Sequence, residues 1–280
     1  MRLVDHAKAH LVVVPVREVG ELIKRGAIRI DGRVGRIDDP VPAGAHVTAE
    51  ALEDLAIRPE DVTLAVALED DDLIVVDKPA GMHVHPLGPH RTGTLLNALL
   101  WHAGARPDRP WAAWRPSPLH RLDRAARGLV AFAKTAHVHD VMRRMFEGHA
   151  IARRYHATVA GVLADDRGTI DAPLGRDPAC DYRRAVVPIE RGGQRAVTHW
   201  SVVARHGDRT ELELVLETGR THQIRAHLAA IGHPIIGDAL YMQNAGSSAD
   251  AASAIDLHAV ELRFRHPGTG VEILCRSTIA

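Results

Sequence analysis

The clearest feature of the chain is an apolar run without alternation, Leu73-Ile-Val-Val-Asp77, preceded by Glu69-Asp-Asp-Asp72 and cut off by Lys78-Pro-Ala-Gly81. Such a run predicts a strand covered on both faces, ended by a proline-glycine turn. Leu129 to Ala133, between Gly128 and Lys134, repeats the pattern and predicts a second buried strand. Leu95, Leu96, Leu99 and Leu100 have helical spacing and predict a core helix over 94–101. Val138, Val141, Met142 and Met145 form an apolar helical stripe between His137 and His149. Further strands are predicted at 155–160, 185–189, 196–203, 211–217, 257–265 and 271–274. After Gly219, Thr221 is a suitable N-cap for a helix whose Ile224, Leu228 and Ile231 face the core. Arg225 then flanks that face, at the edge of a cleft and not deep in it. Gly246-Ser-Ser248, in alanine-rich surroundings, predicts a mobile loop. No internal repeat is evident.

Ahead of this body lies a small unit. Glu18, Leu22 and Arg25 mark a short helix stopped at Gly26. Residues 28–34 alternate apolar and polar about Asp31-Gly32, a strong hairpin signal because the favoured turn needs φ > 0 at both positions. Residues 41–48 add a turn and a short strand. The organisation read from these patterns is an N-terminal unit at 1–52, an acidic linker at 53–68 and a large domain at 69–280.

Composition changes this picture little. Charged residues at 25% and apolar residues at 46% are ordinary for a globular protein. Cys180 and Cys275 lack C-x-x-C spacing, so neither a cysteine zinc site nor a disulfide framework is expected. No apolar run reaches the length of a membrane span, and the first residues have no signal-peptide core. A reducing cytoplasm and a monomer are the expectations. Charge changes it more. The net charge is zero, but residues 51–80 carry 2 Lys+Arg against 9 Asp+Glu, and residues 81–280 carry 25 against 19. The neutral total therefore conceals an acidic connector beside a basic body, compatible with a nucleic-acid partner.

The chemistry centres on His120-Arg121-Leu122-Asp123. This stretch follows the proline-punctuated 115–118 loop and precedes the strand at 129–133. Asp123 is thus a carboxylate at the mouth of a strand, with Arg121 and Arg124 beside it to favour its ionised form. By itself such an Asp is more often a surface ion pair than a catalyst. A second cluster, Glu217-Thr-Gly-Arg-Thr-His-Gln-Ile-Arg225, brings further polar groups. His83-x-His85 and His137-x-His139 lack a third ligand in a recognised arrangement, so a metal-dependent hydrolase is the weaker rival.

Four ordered segments, "VVDKPAGMHVHP" (75–86), "HRLDRAARGL" (120–129), "RRYHATVAG" (153–161) and "TGRTHQIRAHLAAIGHPIIGDALY" (218–241), resemble the RluA family of RNA pseudouridine synthases. The 1–52 unit, through "ELIKRGAIRIDGRV" and "VPAGAHV", resembles the S-four-type (alpha-L) RNA-binding domain. The resemblance implies an α+β fold: a mixed, largely antiparallel bent sheet around a central cleft, plus a small N-terminal α/β RNA-binding domain. It implies isomerisation of uridine in RNA, ribosomal before transfer RNA, with no cofactor and no metal. Asp123 then matches the essential aspartate, Tyr155 the tyrosine packed on the target base, and Arg225 the arginine paired with the aspartate. Arg121 matches the arginine that fills the gap left by the flipped nucleotide. His120, Lys78 and Arg220 join Arg121 as expected RNA contacts in the cleft, and Lys24, Arg25, Arg29, Arg33 and Arg36 as those of the N-terminal unit. The chain departs from the family at Ala126-Arg127 (usually Thr-Ser), Arg153 (usually Lys) and His83 (usually apolar). The first departure keeps a second reading open, a non-catalytic RNA-binding protein on a synthase scaffold.

Overall fold

The computed structural model describes residues 1–52, 56–87, 90–242 and 254–278; the loop expected at 246–248 lies outside them. The chain opens with helices α1 (Leu3–His10) and α2 (Val16–Lys24), then strands β1 (Ile28–Ile30), β2 (Arg33–Val34) and β3 (Val47–Ala49). α2 and the hairpin lie where the apolar pattern puts them. Asp31 and Gly32 both have positive φ (48° and 81°) in a two-residue turn with Ile30 opposite Arg33, the twist-matched hairpin geometry. α1 was not anticipated.

The large domain contains β4 (Ala65–Glu69), β5 (Leu73–Lys78), α3 (Leu95–His102), β6 (Ser117–Pro118), β7 (Arg127–Ala133), α4 (Ala136–Glu147) and β8 (Ala152–Ala160). It continues with β9 (Arg167–Asp171), β10 (Leu174–Asp177), β11 (Cys180–Val186), β12 (Val197–His206) and β13 (Arg209–Leu216). Helix α5 (Gln223–Ala230) and strands β14 (Leu257–Arg265) and β15 (Glu272–Arg276) complete it. The main sheet runs β4-β5-β7-β14-β8-β13-β12-β9, with β15 on β14 and β6 on β7. Only β7 and β14 pair in parallel; every other pairing in the sheet is antiparallel. The mixed, largely antiparallel α+β architecture read from the sequence is therefore the one observed.

β5 is buried at all six positions because both faces are covered. Leu73 and Val75 pack with Val138, Met142 and Phe264 on one side; Ile74 and Val76 pack with Leu95, Leu99 and Phe132 on the other. Burial of each such side chain contributes roughly 1.5–3 kcal/mol. The other half of the sheet has its own core, in which Val159, Leu212 and Leu214 meet Ile224 and Leu228 of α5.

The two halves join where β7 meets the start of β14. Gly128 has φ +114°, and a Cβ there would run into the backbone of Ala259, so only glycine lets the strands approach this closely. That junction lies five residues beyond Asp123, and it places the aspartate's loop between the two halves.

Several boundaries differ from expectation. The strand expected at 185–189 begins at Cys180 and ends at Val186, followed by a 3-10 turn over Ile189–Arg191. α3 starts at Leu95, with Thr94 as its N-cap. The 53–68 linker is not a free connector. Ile57 N–H donates to Val13 O, Glu60 N–H to Asn97 O, and residues 65–68 belong to β4. The N-terminal core also includes Leu100 and Ala105, with Trp111 packed against it. Arg115 reinforces this contact, its guanidinium donating to the carbonyls of Lys8, Leu11, Val12 and Val14.

Candidate active site

Between the halves of the sheet lies an open cleft of about 1230 Å³, lined by residues 119–126 on one side and 216–225 on the other. Asp123 sits in the first wall. Its loop is a turn closed by the Ala126 N–H on Asp123 O (3.2 Å). Beneath it runs Lys78, fully buried, whose Nζ lies within hydrogen-bonding distance of the carbonyls of Pro79, Met82, Arg124 and Ala126. Burial pushes the Lys78 ammonium down to about 8, so it is still charged at neutral pH. Gly81 and Arg124 close the same junction, through Gly81 N–H to Arg124 O (2.8 Å) and Arg124 Nε to Gly81 O (3.2 Å).

One expected RNA contact is thereby corrected. Lys78 has no exposed surface and all its donors serve the backbone, so it supports the Asp123 loop from below. His120 is partly buried and lines the cleft, with one ring nitrogen engaged from behind. Its Nε2 accepts the Ala131 N–H (3.1 Å), its ring lies 5.3 Å from Phe146, and burial, with Arg153 nearby, pushes its pKa down to about 3. With Nε2 accepting, the neutral ring carries its proton on Nδ1, the one donor it has for RNA. The sequence could not separate Lys78 from Arg121, because its burial at the end of β5 depends on carbonyls of the 124–126 loop far along the chain. The departure at 126–127 leaves the loop intact. Ala126 is buried, and the Lys78 strut grips main-chain carbonyls that are indifferent to the side chain.

The second wall supplies Arg225, and here the expected depth is wrong. Arg225 is only 7% exposed. Residues 223–228 of α5 are all buried, so helical spacing selects no outward face. Its polar members are satisfied internally: Gln223 Nε2 donates to Val197 O, and the His227 ring bridges Thr198 Oγ1 and Ala172 O. Ile231, expected in the core, lies beyond the helix and is 39% exposed. The N-cap is His222, in the left-handed region at φ 54°, not Thr221.

Arg225 donates from Nη1 to Asp123 Oδ2 (3.2 Å), and from Nε and Nη2 to both carboxylate oxygens of Asp238 (2.7 and 2.8 Å). Asp238 is almost wholly buried, whereas the Asp123 side chain keeps 21% of its surface. Burial alone would lower the Arg225 pKa; the bonds to Asp238 and the charges of Asp123 and Asp238 outweigh it and raise the value. The guanidinium is thus a permanent cation oriented by a buried carboxylate, with one N–H left for the exposed one. Sequence reading missed Asp238. Its signal was an acidic residue after Gly237 in an otherwise apolar return, which charge patterning alone does not distinguish from a turn residue.

Tyr155, from β8, forms part of the cleft floor at 5% exposure, and burial raises its phenol above the ordinary value. Arg121 is exposed and spans the cleft, donating to Thr221 Oγ1 (2.8 Å). Arg220 is exposed on the opposite wall, its Nε on Arg195 O. Asp123, Tyr155, Arg225, Arg121 and Arg220 therefore share one cavity. In the N-terminal unit Lys24 pairs with Glu21, Arg29 with Glu50 and Arg33 with Asp39. Exposed pairs of this kind are worth about 0–1 kcal/mol, so a phosphate could displace them at small cost. No group of three potential metal ligands occurs among the described residues. No helix among them is long and apolar enough to cross a membrane.

The family model described as RNA pseudouridylate synthase matches residues 72–230, which include Asp123, Tyr155 and Arg225. The chain belongs to the RNA pseudouridylate synthase family. Among its relatives is the ribosomal large subunit pseudouridine synthase D of Pseudomonas aeruginosa, 37% identical over 92% of this chain and 82% of that one. The RNA pseudouridine synthase YlyB of Bacillus subtilis is 38% identical over 90% of this chain and 82% of its own. A solved structure, human RNA pseudouridylate synthase domain containing 1, superimposes with a TM-score of 0.61 at 22% identity. It covers 77% of this chain and 83% of its own, and shares the fold. The family model ends before Asp238, while the relatives extend the likeness over most of the chain.

Proposed function

We propose that this protein isomerises uridine to pseudouridine at defined positions of a structured RNA. The name of the Pseudomonas aeruginosa relative favours the large-subunit ribosomal RNA. The observation that carries the reading is the partly exposed Asp123 carboxylate in the wall of an open cleft, held by an arginine that is itself held from behind.

The reaction breaks the N1–C1′ bond, rotates the uracil and forms C1′–C5; N1 gains a proton and C5 loses one. Nothing is oxidised and nothing departs, so the residues present suffice. A single carboxylate serves either as a nucleophile at C1′ or as a base at the 2′ carbon. Of the carboxylates lining the cleft, Asp238 is tied up by Arg225, and a reaction with no water to activate asks for one carboxylate, in contrast to paired-carboxylate glycosidases. Arg225 holds Asp123 in place through the Nη1–Oδ2 bond. The neutral Tyr155 offers its ring to the uracil. Arg121, spanning the cleft mouth, fills the space a flipped nucleotide vacates and offsets part of the few kcal/mol that flipping costs. The exposed cations at 24–36 bind flanking RNA. Cys180 and Cys275 are both unpaired thiols, in keeping with the cytoplasm as the place of action.

Site-resolved mapping of pseudouridine in total RNA, with and without the gene, tests the reading. Loss of one or a few modified positions in ribosomal RNA is the expected result. An unchanged map would overturn it.

A further inference from the structure

The three Phe, three Tyr and four Trp of the chain are buried or half-buried with one exception. Tyr182 is 59% exposed. A single exposed tyrosine is ordinary on a protein surface; its location is what distinguishes this one. Tyr182 lies on β11 and lines the cleft that holds Asp123, along with Arg184, Arg195 and Arg220. Its hydroxyl makes no hydrogen bond among the described residues.

The hairpin that presents it is anchored firmly. β10 and β11 form a two-stranded sheet of their own. At its end Asp177 accepts from the Ala179 N–H (2.8 Å) and Arg183 Nε (2.6 Å). Tyr241 grips the middle of β11, its hydroxyl accepting from Arg184 N–H (2.9 Å) and donating to Arg184 O (3.0 Å). The Tyr241 ring also lies beneath the guanidinium of Arg225, 5.1 Å away. One aromatic side chain thus registers the hairpin against the arginine that holds Asp123.

An outward ring on an anchored strand, among cations, is the arrangement by which proteins hold unpaired nucleotides, the ring stacking on a base and the cations meeting the phosphates. Asp181, beside Tyr182 and lining the same cleft, repels phosphate at the hairpin itself. That leaves the ring face as the contact there. We propose that Tyr182 is a base-stacking platform for an unpaired nucleotide next to the one flipped onto Asp123. The site accordingly selects an RNA loop or bulge over a continuous duplex. This inference rests on the reading of the protein as a pseudouridine synthase.

The test uses the full chain and an unmodified large-subunit ribosomal RNA transcript, with turnover read from release of the uridine C5 hydrogen. Tyr182→Ala is expected to raise KM by about 5- to 150-fold, the range of one lost base stack, with kcat within about twofold and Tyr182→Phe near the parent. The KM increase should persist at high salt, unlike a lost phosphate contact. In a separate measurement on Tyr182→Trp, the same RNA should quench the new indole. A KM for Tyr182→Ala within twofold of the parent, or a fall in kcat alone, overturns the proposal. If the parent protein shows no turnover on this RNA, the functional reading has failed instead. The quenching then decides alone whether the ring meets a base, and its absence overturns the stacking claim.

Discussion

Removing Asp238 perturbs the site most informatively, because it reaches Asp123 only through Arg225. Asp238→Ala deletes two charge-assisted bonds of 2.7 and 2.8 Å between groups that are nearly inaccessible to water. It leaves a buried guanidinium with one 3.2 Å bond to a carboxylate that water can reach. Breaking a buried pair in this way costs about 3–5 kcal/mol, most of it the penalty of the unpaired charge. Replacing both partners avoids that penalty, so Asp238→Ala with Arg225→Met should cost far less than the two single changes together. The coupling energy expected from the cycle is about 2–3 kcal/mol for Arg225–Asp238, against about 1 kcal/mol for Arg225–Asp123. Urea unfolding of the six proteins in the two cycles, which share the parent and the Arg225 variant, measures both. Turnover of Asp238→Ala should fall as well, because Arg225 no longer presents Nη1 to Asp123. Additive behaviour of Arg225 and Asp238, or a larger coupling to Asp123, would refute the claim that the arginine is oriented from behind.

Two other outcomes follow from single residues. His120 is neutral in the fold, with a pKa of about 3 against an ordinary 6.5. Since the unfolded chain binds the proton first, the stabilisation is complete above pH 6.5 and is lost as pH falls toward 3; the full difference is roughly 4–5 kcal/mol. His120→Gln should therefore flatten the fall in stability between pH 6 and 4, as followed by thermal unfolding across that range; an equally steep fall would contradict a ring held neutral by its bond to Ala131. Gly128→Ala adds a Cβ into the Ala259 backbone at a left-handed φ, and should destabilise by more than about 3 kcal/mol. A near-native melting temperature would show that the β7–β14 junction can relax.

Much of this fold could be read from apolar spacing, and the reason is visible in β5 and β7. Runs covered on both faces are continuous, and few alternatives compete with a strand there. The hairpin at 28–34 was equally legible because Asp-Gly restricts the turn type. Reading failed where the signal is tertiary. Residues 65–68 fall in the expected acidic linker, yet belong to β4, which pairs along the edge of β5. Helix α5 is buried on nearly all sides, so its period could not reveal that Arg225 points inward. Lys78 and His120 carry polar groups whose partners are backbone atoms up to 48 residues away, which no local pattern encodes. The site followed the same division. Asp123 and Arg225 were found through motifs, whereas Asp238, the group that sets the arginine's direction, was seen only once the chain was folded.

The central claim is that one carboxylate acts on the ribose of a swung-out uridine. Its most direct test is Asp123→Asn on an unmodified ribosomal RNA transcript, with pseudouridine formation and RNA affinity measured on the same preparations. The account predicts no detectable product from the variant, with RNA affinity within about tenfold of the parent, about 1.4 kcal/mol. Undiminished pseudouridine formation by that variant would contradict it.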